Sequence, residues 1–308
     1  MMRRFFYTCF VFWGTVCISH AQTDPFFFQQ SNNRMLFNPA ATGKGGDVNA
    51  SVSVRQQWVG FPGISTQALT FSGFASGIQS GLGVMCIIDA FGPQRFKNIK
   101  LNYAFYVPFS DIALFSLGLG TGIMHNVYRA EELRGDPRYD PDPHIPTETQ
   151  VKTSPDFDIG FEFNTRDFEI GGAITHVVYG RFDQNLVRPI RNFYAYSRVR
   201  FLINYNWDFI PGITWHNVRK SHTYEISAAF RHNNNLYVNF VYRNPVNLGM
   251  IVGINFAPNF RLIYSYDYGF SNIRNYNRGT HEVTVAYSLP MNTTYVQNRM
   301  RFFRWRVF

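Results

Sequence analysis

Charge is scarce in this 308-residue chain: Asp, Glu, Lys and Arg together make up 16% of it, against about a quarter in soluble globular domains. A surface wrapped entirely in water is therefore excluded, and something less polar must touch much of the molecule. Long apolar runs are scarce as well. Beyond the first 21 residues no window approaches the ~20 uninterrupted apolar residues of a membrane-spanning helix. Cysteine is nearly absent: of three, Cys9 and Cys17 fall in the apolar start, leaving Cys86 alone, so no internal disulfide can form and no thiolate metal site can be built.

The motifs of common chemistry are missing too. The eight His show no His-Glu-x-x-His spacing. Asp136, Asp140 and Asp142 lack the central Gly and closing Glu of a calcium loop, and read as a solvated acidic loop. Gly118-Leu119-Gly120-Thr121-Gly122 resembles a phosphate loop, but no helical pattern follows. At period two its three glycines share one strand face, where small residues make room for something inside. His176 and His281 fall within predicted strands without a nucleophile constellation. We expect no enzyme, no cofactor and no metal.

Several features are present. Residues 1–21 combine Arg3 and Arg4, an apolar run from Phe5 to Ile18, and small residues at Ser19 and Ala21, the pattern of a cleaved export signal with a mature start at Gln22. Val16 before Cys17 disfavours a lipoprotein. Aromatics reach 18% while mean hydropathy stays slightly negative, so apolar and polar residues interleave, as in strands. From Asp47 onward they alternate: Val283, Val285, Tyr287 and Leu289 oppose Glu282, Thr284, Ala286 and Ser288, and Phe157, Ile159, Phe161 and Phe163 oppose Asp158, Gly160 and Glu162. Fourteen such segments stand near 47–57, 64–75, 80–89, 95–107, 111–127, 155–164, 167–179, 192–204, 207–218, 222–232, 234–243, 247–256, 259–268 and 280–289. Exported alternating strands with an even count predict an all-β fold, a transmembrane antiparallel outer-membrane β-barrel of about fourteen strands.

Connection lengths point the same way. Pro108-Phe109-Ser110, Thr165-Arg166, Tyr205-Asn206, Asn233 and Pro258 read as tight periplasmic turns, whereas 128–154, 180–191 and 269–279 read as long surface loops. The organisation expected is a signal peptide at 1–21, an N-terminal periplasmic or lumen-filling segment at 22–46, the barrel at 47–290 and a basic, aromatic tail at 291–308, with both termini periplasmic. Inward positions carry Asp158, Glu162, Glu169, Glu225, Asp267 and Glu282 beside Arg55, Lys100, Arg198, Arg200, Arg243 and Arg261. Balanced signs favour a cross-linked, filled interior over an ion-selective pore. The formal charge of +9 has no helical basic cluster behind it, so anionic outer-membrane lipid rather than nucleic acid is the expected partner.

One stretch is more specific. Gln22-Thr23-Asp24-Pro25, Asn38-Pro39-Ala40 with Gly43, and Arg55-Gln56-Gln57-Trp58-Val59-Gly60-Phe61 resemble the PorP/SprF family, outer-membrane barrels of the type IX secretion and gliding system. Gly81-Leu82-Gly83, Asn102-Tyr103-Ala104, Thr175-His176 and His281-Glu282-Val283 extend the resemblance along the chain. It implies a non-enzymatic component that couples periplasmic ring or lipoprotein components to delivery or retention of secreted cargo or a surface adhesin. The alternative is a transport channel for hydrophobic or small solutes. Asn38, Pro39, Arg55, Trp58 and Phe61, with Arg299, Arg301, Arg304 and Arg306 of the tail, are the expected partner-binding residues. Arginine at those four tail positions suits carboxylates and phosphates alike.

Overall fold

The computed structural model describes residues 25–61, 64–129, 132, 148–178, 190–233, 235–244, 247–270 and 275–291. The predicted signal, the four tail arginines and Asp136, Asp140 and Asp142 lie outside them. Three one-turn 3-10 helices, Arg34–Leu36, Pro39–Ala41 and Lys44–Gly46, precede a run of strands. These are β1 Val48–Gln56, β2 Ile64–Ala75, β3 Ser80–Phe91, β4 Gln94–Ser110, β5 Ala113–Tyr128, β6 Gln150–Thr165, β7 Phe168–Thr175, β8 Asn192–Val199, β9 Phe201–Leu202, β10 Trp207–Val218, β11 Ser221–His232, β12 Leu236–Arg243, β13 Asn247–Ala257, β14 Phe260–Gly269 and β15 Thr280–Leu289.

Each strand pairs antiparallel with its neighbours in sequence, and β15 pairs with β1 from Val48↔Leu289 to Gln56↔His281. The sheet therefore closes on itself. Both β8 and β9 pair with β10, so they are two pieces of one stave and the barrel has fourteen. The break has a cause in Pro211. It lies on β10 between Gly212, which faces Arg198, and Phe209, which faces Phe201; lacking an N–H, it cannot continue the ladder. On the other side the pairing with β7 continues across the break, the Arg200 amide donating to the Asp167 carbonyl at 2.8 Å.

Two other prolines correct the expected boundaries. Pro108-Phe109-Ser110 is the end of β4 rather than a turn, with a bulge between Pro108 and Ser110. Gln150–Ser154, assigned above to a loop, is the start of β6. In both places the proline stands past the end of one neighbouring ladder: β3 stops at Ser80↔Phe105 and β7 at Ile174↔Ile159. A proline beside an uncovered edge interrupts no hydrogen bond. His176 is likewise outside a strand, because β7 ends at Thr175 and His176 takes φ 56°.

The alternation has the expected sense. Val283, Val285, Phe157, Ile159 and Phe161 are exposed, whereas Glu282, Thr284, Asp158 and Glu162 are buried. An apolar exterior over a buried polar interior is the inversion that a lipid solvent demands. Among the described residues no helix is long and apolar enough to cross a membrane. One end of the barrel carries the connecting residues 76–79, 111–112, 166–167, 203–206, 233, 235 and 258–259, together with Met291; we call it the turn end. The opposite, loop end carries, of the described residues, 57–61, 129, 148–149, 176–178, 190–191, 270 and 275–279, and also the short 92–93, 219–220 and 244.

Residues 25–46 cross the lumen as a strap. Phe26 lies against His216 near the loop end, with ring centroids 5.7 Å apart, while Lys44 reaches Glu169 near the turn end. The strap thus starts at the end opposite Met291, and not at the same end as the tail as expected. It runs in a groove cut by glycine. Gly118 on β5 and Gly160 on β6 face each other across the ladder. A Cβ on Gly118 would collide with Pro39 and Ala40, and one on Gly160 with the Asn38 side chain. Overfilling such a site costs about 1–3 kcal/mol. Gly118→Val should therefore lower the temperature at which the compact barrel band converts to the unfolded band on a gel, whereas Thr121→Val, on the same strand's outward face, should leave it unchanged.

Candidate functional site

The region best supplied with chemistry is the contact between strap and wall, because polar groups buried inside a closed barrel need hydrogen-bond partners and the wall supplies many of them. Asn38 shows how. It is fully buried and precedes the Pro39–Ala41 turn as its N-cap, its Oδ1 accepting the Ala40 N–H at 2.9 Å. Proline at the next position suits the role, since its φ is preset and its missing N–H is not needed there. The Asn38 amide donates outward to the Phe161 carbonyl at 3.1 Å and the Tyr196 hydroxyl at 2.8 Å.

Next to this anchor lies an ion cluster. Glu162 and Glu169, on β6 and β7, have no exposed surface. Arg34 of the strap reaches Glu162 at 3.0 Å and Glu169 at 2.9 Å. Lys44 bonds Glu162 at 2.8 Å and also contacts Glu169. From the wall, Arg198 meets Glu169 at 3.0 Å, the Tyr196 hydroxyl donates to Glu162, and Asn164 donates to Glu162 at 2.8 Å. Burial opposes charge on both strap cations. Glu169 and Glu162 more than offset it for Arg34, whose guanidinium is held above its ordinary range, while Lys44, which also faces Arg34, is pushed below the usual lysine range.

Two more clusters lie toward the loop end. Lys100 sits between Asp156 at 2.7 Å and Asp158 at 2.6 Å, and His176 Nδ1 meets Asp156 at 2.8 Å. Asp156, Asp158 and His176 are spaced as a metal set would be, and the ammonium of Lys100 supplies the positive charge between the two carboxylates. In the second, Arg243 pairs with Glu225 at 2.9 Å and lies 3.8 Å from the Phe26 ring centroid and 4.9 Å from that of Phe28. Glu282 accepts the Phe28 and Gln29 amides at 2.8 and 3.2 Å.

The expected partner-binding residues separate into three sets. Asn38 and Pro39 of the strap and Arg55 of the wall are buried within the lumen. Arg55 stands across the ladder from Glu282. Trp58 and Phe61 are half-buried at the loop end. The Trp58 amide donates to Thr280 Oγ1 at 3.3 Å, Val59 donates to the Gly279 carbonyl at 2.9 Å, and the Val59 carbonyl accepts from Arg278 at 2.8 Å. The Arg-Gln-Gln-Trp-Val-Gly-Phe stretch therefore closes the seam between first and last strands. Arg299, Arg301, Arg304 and Arg306 lie outside the described residues. Of the expected inward charges, Glu162, Glu169, Lys100, Arg198, Glu225, Arg243 and Asp158 form the clusters above, and Arg200 pairs with Asp167 at 2.6 Å. Arg34 and Lys44 were not singled out from sequence, although two cations in a short aromatic and amide-rich segment were the available signal.

Comparison with known proteins agrees with this geometry. A family model described as "Type IX secretion system membrane protein PorP/SprF" matches residues 19–287. No curated protein matches the chain. Among solved structures, the Pseudomonas putida toluene transporter TodX is similar at 10% identity, covering 84% of this chain and 94% of that one with a TM-score of 0.50. A deltaS2S3 mutant of TodX, described as a monoaromatic hydrocarbon channel, is similar at 9% identity over 84% and 94%, with a TM-score of 0.51. At these identities the likeness is one of barrel fold.

Removing one partner of a buried pair leaves the others uncompensated, at about 3–5 kcal/mol. The paired variant Glu162→Gln with Glu169→Gln should loosen the strap inside an intact wall. A cysteine placed at Ser31 should then react with a water-soluble maleimide much faster than in the parent, while circular dichroism keeps its β form.

Proposed function

We propose that this chain, which belongs to the PorP/SprF family of type IX secretion system membrane proteins, is an outer-membrane scaffold that couples periplasmic components of that system to delivery or retention of secreted cargo at the cell surface. The observation that carries the reading, beside the family, is the strap. A lumen crossed by residues 25–46 and tied by Arg34, Lys44, Glu162, Glu169 and Arg198 is built for rigidity rather than passage. In this reading the turn end and the tail are periplasmic and the loop end meets the outside. Short turns on the periplasmic side and longer surface loops are the usual asymmetry of such barrels.

A transport channel is the second reading, and the barrel likeness to TodX is what favours it. Hydrocarbon passage would need an apolar path, and the charged clusters around the strap argue against one.

Three experiments test the proposal. Deleting the gene should leave type IX cargo in the periplasm, or strip an adhesin from the surface, with outer-membrane permeability unchanged, and purified protein should give no steady conductance in planar bilayers. Normal secretion together with lost solute uptake would favour the channel. For the partner contact, Arg299, Arg301, Arg304 and Arg306 changed together to Gln should leave barrel assembly intact while weakening co-purification of the periplasmic partner. The parent contact itself should weaken as salt rises, since exposed charge pairs are screened within about 10 Å at 0.1 M ionic strength. Unchanged co-purification would remove the tail as a docking site.

A further inference from the structure

On the outward face of β4 the exposed side chains run from Ile99 through Leu101, Tyr103, Phe105 and Val107 to Phe109. At a rise of about 3.4 Å per residue and a tilt of about 40° they cover about 26 Å of height, close to the apolar band of about 25 Å that such barrels present to lipid. The next outward position toward the loop end is Lys97. It is exposed, and among the described residues its ammonium meets no carboxylate. Lys97 stands directly across the ladder from Ile88 of β3 and from His125 of β5, and His125 stands across from Thr153 of β6. His125 Nδ1 and Thr153 Oγ1 are 2.8 Å apart, while Ile88, Ile99 and Ile123 beside this row are exposed. Arg95, one outward step further, is already engaged by Glu132 at 3.3 Å. Elsewhere round the barrel the outward ring at this end is tyrosine, with Tyr224, Tyr242 and Tyr268 exposed. A cation at the edge of hydrocarbon meets the headgroup layer, where the available counter-charge is anionic lipid.

We propose that Lys97, His125 and Thr153 form a lateral docking site for one phosphorylated lipid. The phosphate lies on the Lys97 ammonium, beside the imidazole and hydroxyl of the same row, and the acyl chains lie along Ile99, Leu101 and Ile123. Charge complementarity selects the head, because a lysine ammonium is a compact point charge with three donors for phosphate oxygens. Position selects a lipid over free phosphate. The cation stands where the apolar side chains begin, and only a molecule carrying both an anion and hydrocarbon covers both surfaces. Such a site requires the wall to face lipid and nothing of the secretion role, so its failure would leave that reading standing.

The test is native mass spectrometry of the full-length protein released from a nonionic detergent, with three additives: dioleoyl phosphatidic acid, dioleoylglycerol, which has the same chains and no phosphate, and inorganic phosphate. Phosphatidic acid should occupy the first lipid position at about fivefold lower concentration than dioleoylglycerol, the factor that one cation near a lipid surface supplies. Lys97→Gln should remove that preference and Lys97→Arg should keep it. Lys152→Gln removes the same charge at the same end, but from the inward face of β6, which it shares with the buried Ser154, and should leave the preference unchanged. Equal occupancy by the two lipids overturns the site, as does the absence of any lipid adduct, a preference that survives Lys97→Gln, or one lost equally with Lys152→Gln. Displacement of phosphatidic acid by an equal concentration of inorganic phosphate also overturns it, since the contact would then read the anion alone. The ranking of the additives on parent protein decides the matter even where a variant fails to assemble.

Discussion

In a hydrocarbon solvent every backbone N–H and C=O of the wall has to find its partner within the protein, so a sheet can span a membrane only if its first strand meets its last. Here that meeting is the ladder of β1 against β15, from Val48↔Leu289 to Gln56↔His281. It extends past the strands at the loop end, where Trp58 and Val59 bond Thr280, Gly279 and Arg278. Trp58 and Gly60 take positive φ values of 50° and 115° to make this turn, a region where glycine is at ease and tryptophan is not. The stretch Arg55 to Phe61 is thus explained first as the fastening of the cylinder, and a partner would read only its exposed side.

Closure creates the second constraint. A cylinder of fourteen staves encloses an interior that cannot be left as unpaired polar backbone and isolated charge. The strap fills it, and it can do so only because the Gly118–Gly160 pair lets main chain lie against main chain. Its cations and the wall's carboxylates then become mutually necessary. Such buried pairs contribute little net stability over an apolar filling, but they penalise any displaced arrangement. Rigid placement of the strap suits the scaffold role proposed above, and a polar cavity remains between it and the wall of β1, β2 and β13–β15.

The strand count, the inward charges and the small-residue face at Gly118 to Gly122 were legible because alternation at period two survives in the sequence whatever the partner strand is. The boundaries at Pro108, Pro155 and Pro211 were less so. A proline reads as an interruption until it is known which edge is covered: Pro108 and Pro155 border uncovered edges and are harmless, whereas Pro211 borders a covered one and breaks a stave in two.

By itself, then, the sequence determined the wall: which faces meet lipid, how many strands there are, and that the interior charges balance, since each follows from residue type and local spacing. Only the tertiary structure decided which charges pair. Arg34 and Lys44 precede Glu162 and Glu169 by more than a hundred residues, and their meeting depends on a strap that starts at the loop end and descends through the lumen. Sequence spacing carries no record of such a path, because the distance across a barrel is set by closure and by the shape of the groove, and not by the length of chain between the partners.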